Sequence, residues 1–168
     1  MRLTPNWFII SDTHFGHKKI VEYAQRPEDH NDLMVRNWNK VVKKDDYVLH
    51  LGDLHLTTFV EAEKYCSQLN GHKFLIIGNH DDNGDIHYGK LGFTVVEPIY
   101  KRFTNSKGIY PVIFTHEPVI DIGDWYNVHG HIHQGTHHEF GLSAHNVNMS
   151  VEVIDYTPVR LYSILAKL

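Results

Sequence analysis

The stretch Phe74–Asp81 reads FLIIGNHD, and its two halves differ in character. Phe74–Ile77 is a short apolar run of the kind that forms a buried β-strand. Gly78–Asp81 is a glycine followed by an amide, an imidazole and a carboxyl group, all of which are able to bind a ligand. Because open α/β sheets bind ligands just beyond the carboxyl ends of their strands, this stretch predicts a strand with functional residues at its end.

Four other apolar segments end in the same way, each followed closely by polar residues with useful chemistry. They are Trp7–Ile10 before Asp12 and His14, Tyr47–Leu51 before Asp53, Val112–Phe114 before His116, and Val128 before Gly130, His131 and His133. Helical patterns at Asp29–Lys43 and Thr58–Leu69 separate the early strands. The second of these helices opens with Thr58-x-x-Glu61, which is a capping-box pattern.

After Gly92 the chain becomes rich in strand patterns. Phe93–Phe103 and Ile109–His116 flank the turn signal NSKG and predict a β-hairpin. Val147–Pro158 predicts one more strand, and Pro158–Leu168 is compatible with either a last helix or a last strand. The order β-α-β-α-β followed by mostly β predicts an α/β fold with two packed mixed sheets, in one domain that spans residues 1–168.

The composition is that of an ordinary globular protein, apart from histidine. The chain has 168 residues, of which 42% are hydrophobic and 21% are charged, and its formal net charge is −4. This charge argues against binding of long duplex nucleic acid, which needs a basic surface. With one cysteine, no apolar run of membrane-spanning length and no signal-peptide pattern, the sequence predicts a cytoplasmic protein that does not enter a membrane. The 15 scattered histidines call for a chemical explanation.

The residues at the predicted strand ends form a mixed set of oxygen and nitrogen ligands. Two carboxylates, one amide and four imidazoles make up this set, namely Asp12, Asp53, Asn79, His14, His116, His131 and His133. A set without thiolates suits Mn²⁺, Fe, Zn²⁺, Ni²⁺ or Co²⁺. Seven ligands are too many for one ion with an open position, but they suffice for two ions if a carboxylate bridges them. Two ions about 3.5–4 Å apart form a clamp for phosphoryl transfer.

The spacing of two ligand pairs also predicts how they point. Residues i and i+2 of a strand face the same side, so Asp12 with His14, and His131 with His133, are each expected to point toward one centre. Gly130 is expected to permit a close backbone approach or a sharp turn before the second pair.

Five motif blocks stand in a fixed order from Asp12 to His133. They are Asp12-Thr13-His14, Gly52-Asp53, Gly78-Asn79-His80-Asp81, Thr115-His116 and Gly130-His131-Ile132-His133. Together these blocks resemble the calcineurin-like metallophosphoesterase superfamily. A Gly-Asp pair alone would mean nothing, but Gly-Asn-His-Asp followed by Gly-His-x-His is specific. The resemblance covers most of the chain and implies an αββα sandwich, in which two packed mixed β-sheets are flanked by helices.

The resemblance also implies a role for each matching residue. Asp12, His14 and His133 would hold a first metal ion, Asn79, His116 and His131 a second, and Asp53 would bridge the two. A water or hydroxide between the ions would attack phosphorus in line. His80 would protonate the leaving oxygen or stabilise charge on the phosphoryl group, and Asp81 would hydrogen-bond the other ring nitrogen of His80.

The remaining polar residues near the motifs give weaker signals. His17 and His55 are candidates for contact with a substrate phosphate, and Arg36 is a candidate for attracting an anionic substrate, although a solvated face is the more common fate of such a charge. His129, His137 and His138 are expected to be bystanders in spite of their position in the histidine-rich segment Asn127–His138.

The length and motif details resemble the small bacterial and phage phosphodiesterases of the superfamily. The second and third blocks lack the arginines of the eukaryotic-type Ser/Thr phosphatases, and Asp81 stands where those enzymes carry Glu. The resemblance therefore implies hydrolysis of a small phosphodiester, such as a nucleotide or cyclic nucleotide, with Mn²⁺ favoured. A phosphomonoesterase, a nuclease acting on short or single-stranded nucleic acid, and a non-enzymatic scaffold are the alternatives. The sequence leaves the oligomeric state open, a homo-oligomer included.

Overall fold

The computed structural model describes residues 2–81, 84–105 and 108–168, and within these ranges the chain forms nine strands and five helices. The strands are β1 (Phe8–Ile10), β2 (Tyr47–His50), β3 (His72–Ile76), β4 (Phe93–Val96), β5 (Ile99–Asn105), β6 (Gly108–Phe114), β7 (Tyr126–His129), β8 (Asn146–Asn148) and β9 (Val159–Arg160). The helices are α1 (Ile20–Tyr23), α2 (His30–Val41), α3 (Phe59–Cys66), α4 (Asp85–Lys90) and α5 (Leu161–Leu165).

The first sheet has the strand order β4-β3-β2-β1-β9. Strands β1 to β4 run parallel to one another, and β9 pairs antiparallel with β1. Alternate side chains of β1 face opposite sides: Phe8 and Ile10 join a core with Trp38 of α2 and Cys66 of α3, whereas Ile9 belongs to a separate core. Helices therefore cover one face of this sheet, and the period of two residues in a strand determines which side chains they bury.

The second sheet has the order β5-β6-β7-β8 and packs on the other face of the first. β5 and β6 are antiparallel, while β6, β7 and β8 are parallel. The core between the two sheets combines side chains from both, namely Ile9, Leu49, Leu51 and Ile76 from the first and Phe103, Val112, Phe114 and Val128 from the second. The predicted α/β fold, with two packed mixed sheets and flanking helices, is confirmed.

The predicted hairpin is confirmed for β5 and β6 but wrong for its first residues. Phe93–Val96 does not extend the hairpin; it forms β4, which pairs parallel with β3 in the first sheet. Pro98, which has no N–H for a sheet ladder, stands between β4 and β5, and the chain changes sheet there. In the predicted turn, Ser106 and Lys107 lie outside the described residues.

The strand predicted over Val147–Pro158 is also mostly wrong. Only β8 at its start is a strand, after which the chain turns repeatedly, with Asp155 and Tyr156 in the left-handed region at φ 52° and 51°. Met149 and Val151 are both buried, but they belong to different cores. Alternation of apolar residues here reflects a chain that passes between two cores. The last segment contains both of the predicted alternatives, β9 followed by α5.

The two long helices form where their patterns predict them, with shorter ends. The pattern over Asp29–Lys43 corresponds to α2, and that over Thr58–Leu69 to α3. The Thr58 hydroxyl accepts a hydrogen bond from the Glu61 N–H (3.4 Å), as the capping pattern predicts. Within the described ranges no helix has the length and apolar character needed to cross a membrane.

Candidate metal centre

The seven residues predicted as metal ligands lie on loops that follow five strands. Asp12 and His14 follow β1, Asp53 follows β2, and Asn79 follows β3 in the first sheet. From the second sheet, His116 follows β6, and His131 and His133 follow β7. Since β1, β2 and β3 are parallel, and β6 and β7 are parallel, these loops project from the carboxyl ends of their strands. The fold thus brings residues from both sheets to one place.

Asp12, His14 and His133, here called the first cluster, offer ligand atoms that lie within 4.8 Å of one another. The rings of His14 and His133 stack with their centroids 5.2 Å apart. Both ring nitrogens of His14 are buried and have no hydrogen-bond partner among the described residues. Burial, together with the Arg26 charge, lowers the pKa of His14, so the ring is neutral. A buried neutral imidazole with an unused nitrogen is suited to bind a metal ion.

Asn79, His116 and His131, here called the second cluster, converge even more closely. The Asn79 Oδ1 atom lies 2.8 Å from His116 Nε2 and 2.9 Å from His131 Nδ1, and the two imidazole nitrogens are 3.3 Å apart. His116 Nδ1 donates to the Leu51 carbonyl (2.8 Å), which leaves Nε2 of a neutral ring as an acceptor. The Asn79 oxygen and His116 Nε2 are suited to bind a cation, and His131 Nδ1 lies close to both atoms.

Asp53 lies between the two clusters. Its Oδ2 atom is 3.4 Å from His14 Nε2 and 3.5 Å from His116 Nε2. Burial raises the pKa of this carboxyl group, and His116 opposes the shift. Asp12 also reaches toward the second cluster, because its carboxylate lies within 4.8 Å of ligand atoms from Asp53 and His116. A carboxylate that contacts a ligand on each side is suited to bridge two ions.

The ligands reach the centre through left-handed turns. Asp12 and His14 do point toward one centre, as predicted, but strand alternation is not the cause. Strand β1 ends at Ile10 and β7 at His129, so both predicted pairs lie beyond strands. Nine non-glycine residues in the described ranges have positive φ, and five of them are predicted ligands: Asp12 (58°), His14 (46°), Asp53 (58°), His131 (72°) and His133 (48°). Such conformations each cost about 1–3 kcal/mol and concentrate at functional sites. They also separate His131 from His133, which belong to different clusters.

Two glycines allow loops to approach these ligands. A Cβ atom on Gly130 would overlap Ser11 Oγ and Asp12 Oδ2, and one on Gly78 would overlap the Asp53 carboxylate and backbone N. Gly130 N–H bonds to the His116 carbonyl, and the next N–H, that of His131, donates to both Asp12 carboxylate oxygens (3.0 and 2.9 Å). Of the two roles expected for Gly130, the structure supports the close approach.

The contact predicted between Asp81 and the His80 ring is replaced by a different arrangement. The buried Asp81 carboxylate accepts hydrogen bonds from the N–H groups of Asp53 (2.6 Å), Gly78 (2.9 Å) and Leu54 (3.1 Å), and from the Tyr88 hydroxyl (3.2 Å). The pairing with His80 is therefore wrong: Asp81 ties the loop after β2 to the loop after β3, and four donors already occupy its oxygens.

His80 has an exposed side chain beside the first cluster. Its ring centroid lies 5.6 Å from that of His14, and its N–H donates to Asp53 Oδ1 (2.9 Å). The ring borders a cavity of about 610 Å³ that is also lined by His17 and by the apolar residues Ile20, Ala24 and Ile132. The structure thus places His80 and His17 where they could contact a molecule that is bound at the first cluster and extends into this cavity.

The other two predicted substrate-binding residues do not line this cavity. His55 is buried, and its Nε2 atom is 2.8 Å from His87 Nε2. Arg36 lies on the exposed side of α2 and forms an ion pair with Asp29 (2.9 Å). Strand β2 ends at His50, so the alternation of strand side chains does not set the orientation of His55. The position of Arg36 on α2 directs its side chain to solvent.

The sequence patterns missed a buried layer behind the first cluster. Glu152 Oε1 lies 2.9 Å from His133 Nδ1 and 2.6 Å from Arg26 Nη2. Burial acts to raise the pKa of Glu152, but the His133 hydrogen bond and the Arg26 charge outweigh it, so the pKa of Glu152 is lowered. Burial acts to lower the pKa of His133, but the hydrogen bond to Glu152 and its charge outweigh it, so the pKa of His133 is raised. Neither Arg26 nor Glu152 belongs to a motif block, and a separation of 126 residues leaves no local signal that would have paired them.

Comparison with known proteins agrees with this architecture. Residues 7–163 match the family model described as calcineurin-like phosphoesterase. The chain belongs to this family, whose members are hydrolases acting on phosphoesters.

Several individual proteins are similar along most or part of the chain. An uncharacterized protein of Methanocaldococcus jannaschii, MJ1445, is 34% identical over 167 residues, which cover 92% of this chain and 86% of that protein. The Gene 66 protein of Mycobacterium phage L5 is 37% identical over 95 residues, which cover 51% of this chain and 45% of that one. The crystal structure of AQ665 from Aquifex aeolicus, a protein of unknown function, superposes with a TM-score of 0.70 at 25% identity and covers 96% of this chain and 98% of that chain.

Proposed function

We propose that this protein is a phosphodiesterase that uses two divalent metal ions and acts on a small phosphodiester. The observation that carries the proposal is the pair of ligand clusters joined by Asp53, whose Oδ2 atom lies 3.4 Å from a ligand nitrogen of the first and 3.5 Å from one of the second. Asp12, His14 and His133 would hold one ion, and Asn79, His116 and His131 the other. Asp53 would bridge them.

The donor set determines which metals suit the centre. Imidazole nitrogens combined with carboxylate and amide oxygens, without thiolates, favour Mn²⁺ and also suit Fe, Zn²⁺, Ni²⁺ or Co²⁺. When bound, the two ions supply a nucleophile from water near neutral pH and neutralise charge on the phosphoryl oxygens.

We assign His80 the transfer of a proton to the leaving oxygen. Its ring is exposed and borders the cavity, while its main-chain N–H donates a hydrogen bond to Asp53 Oδ1 (2.9 Å). This anchor fixes the backbone of His80 relative to the proposed bridging carboxylate and leaves the ring free to meet a substrate. His17, on the same cavity wall, would contact a phosphate oxygen.

The cavity beside the first cluster favours a diester over a monoester. Ile20, Ala24 and Ile132 provide apolar surface, and neither Lys nor Arg is among its lining residues in the described ranges. A monoester dianion would gain more from cationic side chains, whereas a diester has one charge and a second organic group that needs a place to bind. Tyr23 at the cavity wall has 67% of its surface exposed, so its ring is available to such a group.

The test compares two model substrates after controlled metal loading. Protein stripped with a chelator and reloaded with Mn²⁺ should hydrolyse bis-p-nitrophenyl phosphate faster than p-nitrophenyl phosphate. Asp29→Asn, which changes an exposed ion pair of α2 away from the cavity, is the control and should behave like the unaltered protein.

Three other results would contradict the proposal in distinct ways. The absence of metal-dependent hydrolysis of either ester would exclude the enzyme. A preference for the monoester would exclude the diesterase, and efficient cleavage of a single-stranded oligonucleotide in place of small diesters would point to a nuclease.

A further inference from the structure

Arg26 and Glu152 form a buried ion pair directly behind the first cluster. The distance from Arg26 Nη2 to Glu152 Oε1 is 2.6 Å, that from Nε to the same oxygen is 2.8 Å, and the side chains are 0% and 6% exposed. A buried ion pair is not by itself a reason for stability, because taking two charges out of water is costly. What the two side chains contact therefore matters more than the attraction between them.

Glu152 contacts a predicted ligand directly. Its Oε1 atom accepts a hydrogen bond from His133 Nδ1 at 2.9 Å. A ring that donates from Nδ1 to a carboxylate presents Nε2 as its remaining donor atom for a metal ion. The contact thus selects both the orientation and the tautomer in which His133 is able to bind.

Arg26 contacts the backbone that carries the other two ligands of the first cluster. Its Nη2 atom donates to the Asp12 carbonyl (2.6 Å), and Nη1 donates to the Thr13 carbonyl (2.7 Å). Asp12 and His14 have φ values of 58° and 46°, a conformation that needs support from its surroundings. The planar guanidinium holds two successive carbonyls and Glu152 at once, which the ammonium group of a lysine cannot reproduce.

We propose that Arg26 and Glu152 are a positioning pair for the first cluster, and that metal binding there depends on them while binding at the second cluster does not. The inference rests on the metal sites of the proposed function. The pair joins His133, which follows β7, to Asp12 and His14, which follow β1, and so fixes all three ligands against one another. The second cluster has a separate support, the Leu51 carbonyl that holds His116.

The test measures Mn²⁺ binding to the full-length chain by titration and by electron paramagnetic resonance. The unaltered protein should bind two ions and give the spectrum of an exchange-coupled pair. Glu152→Gln and Arg26→Lys should each weaken one of the two binding events roughly 10- to 100-fold, the usual effect of removing a group that orients a metal ligand. At one bound equivalent, these variants should give the spectrum of an uncoupled ion.

The matched control is Asp46→Asn. Asp46 pairs with Arg160 (3.1 Å) before β2 begins, at the opposite end of the strand from Asp53. This variant loses a partly buried ion pair and should still bind two coupled ions. If Glu152→Gln does not fold, the double variant Arg26→Gln with Glu152→Gln removes both charges together, and the same selective loss is expected.

The possible outcomes separate the two proposals. Unchanged affinity for both ions in the variants, or an equal loss at both sites, would overturn the positioning role, while two coupled ions in the unaltered protein would leave the metal centre standing. Failure of the unaltered protein to bind two ions would overturn the proposed function itself.

Discussion

The two ligand clusters differ in what holds their histidines. In the first, His133 is oriented by the Glu152 carboxylate, which is backed by Arg26. In the second, His116 is oriented by a main-chain carbonyl, that of Leu51. The first cluster thus depends on two side chains that lie far apart in the sequence, whereas the second depends on the main chain at a strand end.

This difference affects how each cluster responds to substitution. The hydrogen bond from His133 to Glu152 is lost when Glu152 is replaced. The carbonyl that accepts from His116 remains when Leu51 is replaced, because every residue has a main-chain carbonyl. The second cluster is instead sensitive to the course of its loops, which Asp81 holds through the N–H groups of Asp53, Leu54 and Gly78. Asp53 serves both clusters, so its loss should have the largest effect.

Replacing Asp53 removes the group shared by the clusters. Asp53→Asn should lower kcat/KM for bis-p-nitrophenyl phosphate by about 10⁴-fold, because several kcal/mol of charge stabilisation depend on the two-ion centre. The amide can still accept the His80 N–H, so the fold should survive, which circular dichroism checks. A variant that retained two bound metal ions and normal turnover would show that Asp53 does not bridge.

Replacing His80 tests proton transfer without disturbing either cluster. His80→Gln should lower kcat by about 10²- to 10³-fold for a diester with an alkyl leaving group, since a general acid contributes in this range. The loss should be much smaller for a p-nitrophenyl leaving group, which departs without protonation. Metal content, measured by atomic absorption, should be unchanged, and equal losses on both esters would contradict the assignment.

Replacing Asp81 tests the main-chain support of the second cluster. Asp81→Asn should lower the free energy of unfolding by about 3 kcal/mol, because an amide nitrogen would face buried N–H donors that now bond to a carboxylate. Urea denaturation measures the change. Asp29→Asn, which breaks the exposed pair with Arg36, is the control and should cost less than about 1 kcal/mol. Equal losses in the free energy of unfolding for the two variants would mean that Asp81 does not stabilise the loops after β2 and β3.

At neutral pH His50 gives the smallest expected effect on stability, and its contribution changes as the pH falls. Its Nδ1 atom accepts the Gly52 N–H (3.2 Å) and its Nε2 atom lies 2.9 Å from the Thr13 hydroxyl, under the loop that leads to Asp53. Burial lowers the pKa of His50 to about 3. Because the unfolded chain takes up a proton near pH 6.5 and the folded chain does not, this contribution to stability is complete above pH 6.5 and is lost as the pH falls toward 3.

The prediction for His50 concerns the slope of stability against pH. His50 should contribute up to about 1.4 kcal/mol per pH unit in that window. In chelator-treated protein, the free energy of unfolding should therefore fall less steeply between pH 6 and 4 in His50→Gln than in the unaltered chain. Identical slopes would contradict the buried neutral state of His50.

The contrast between the clusters also explains which parts of the structure could be predicted from the sequence. Apolar runs such as Phe74–Ile77 and the polar residues after them gave the strands and the candidate ligands, because both signals are local. The backbone geometry of His131 and His133 is not predictable in this way, because left-handed turns beyond β7 replace the alternation of a strand. Glu152 was missed because it lies in a segment whose apolar residues suggested a strand, and its partners are distant in sequence.

The most direct test of the central claim is an anomalous-scattering map from crystals of the Mn²⁺-loaded protein. We expect two peaks about 3.5–4 Å apart, one contacted by Asp12, His14 and His133, the other by Asn79, His116 and His131, with Asp53 contacting both. A single peak, or two peaks that do not share Asp53, would contradict it.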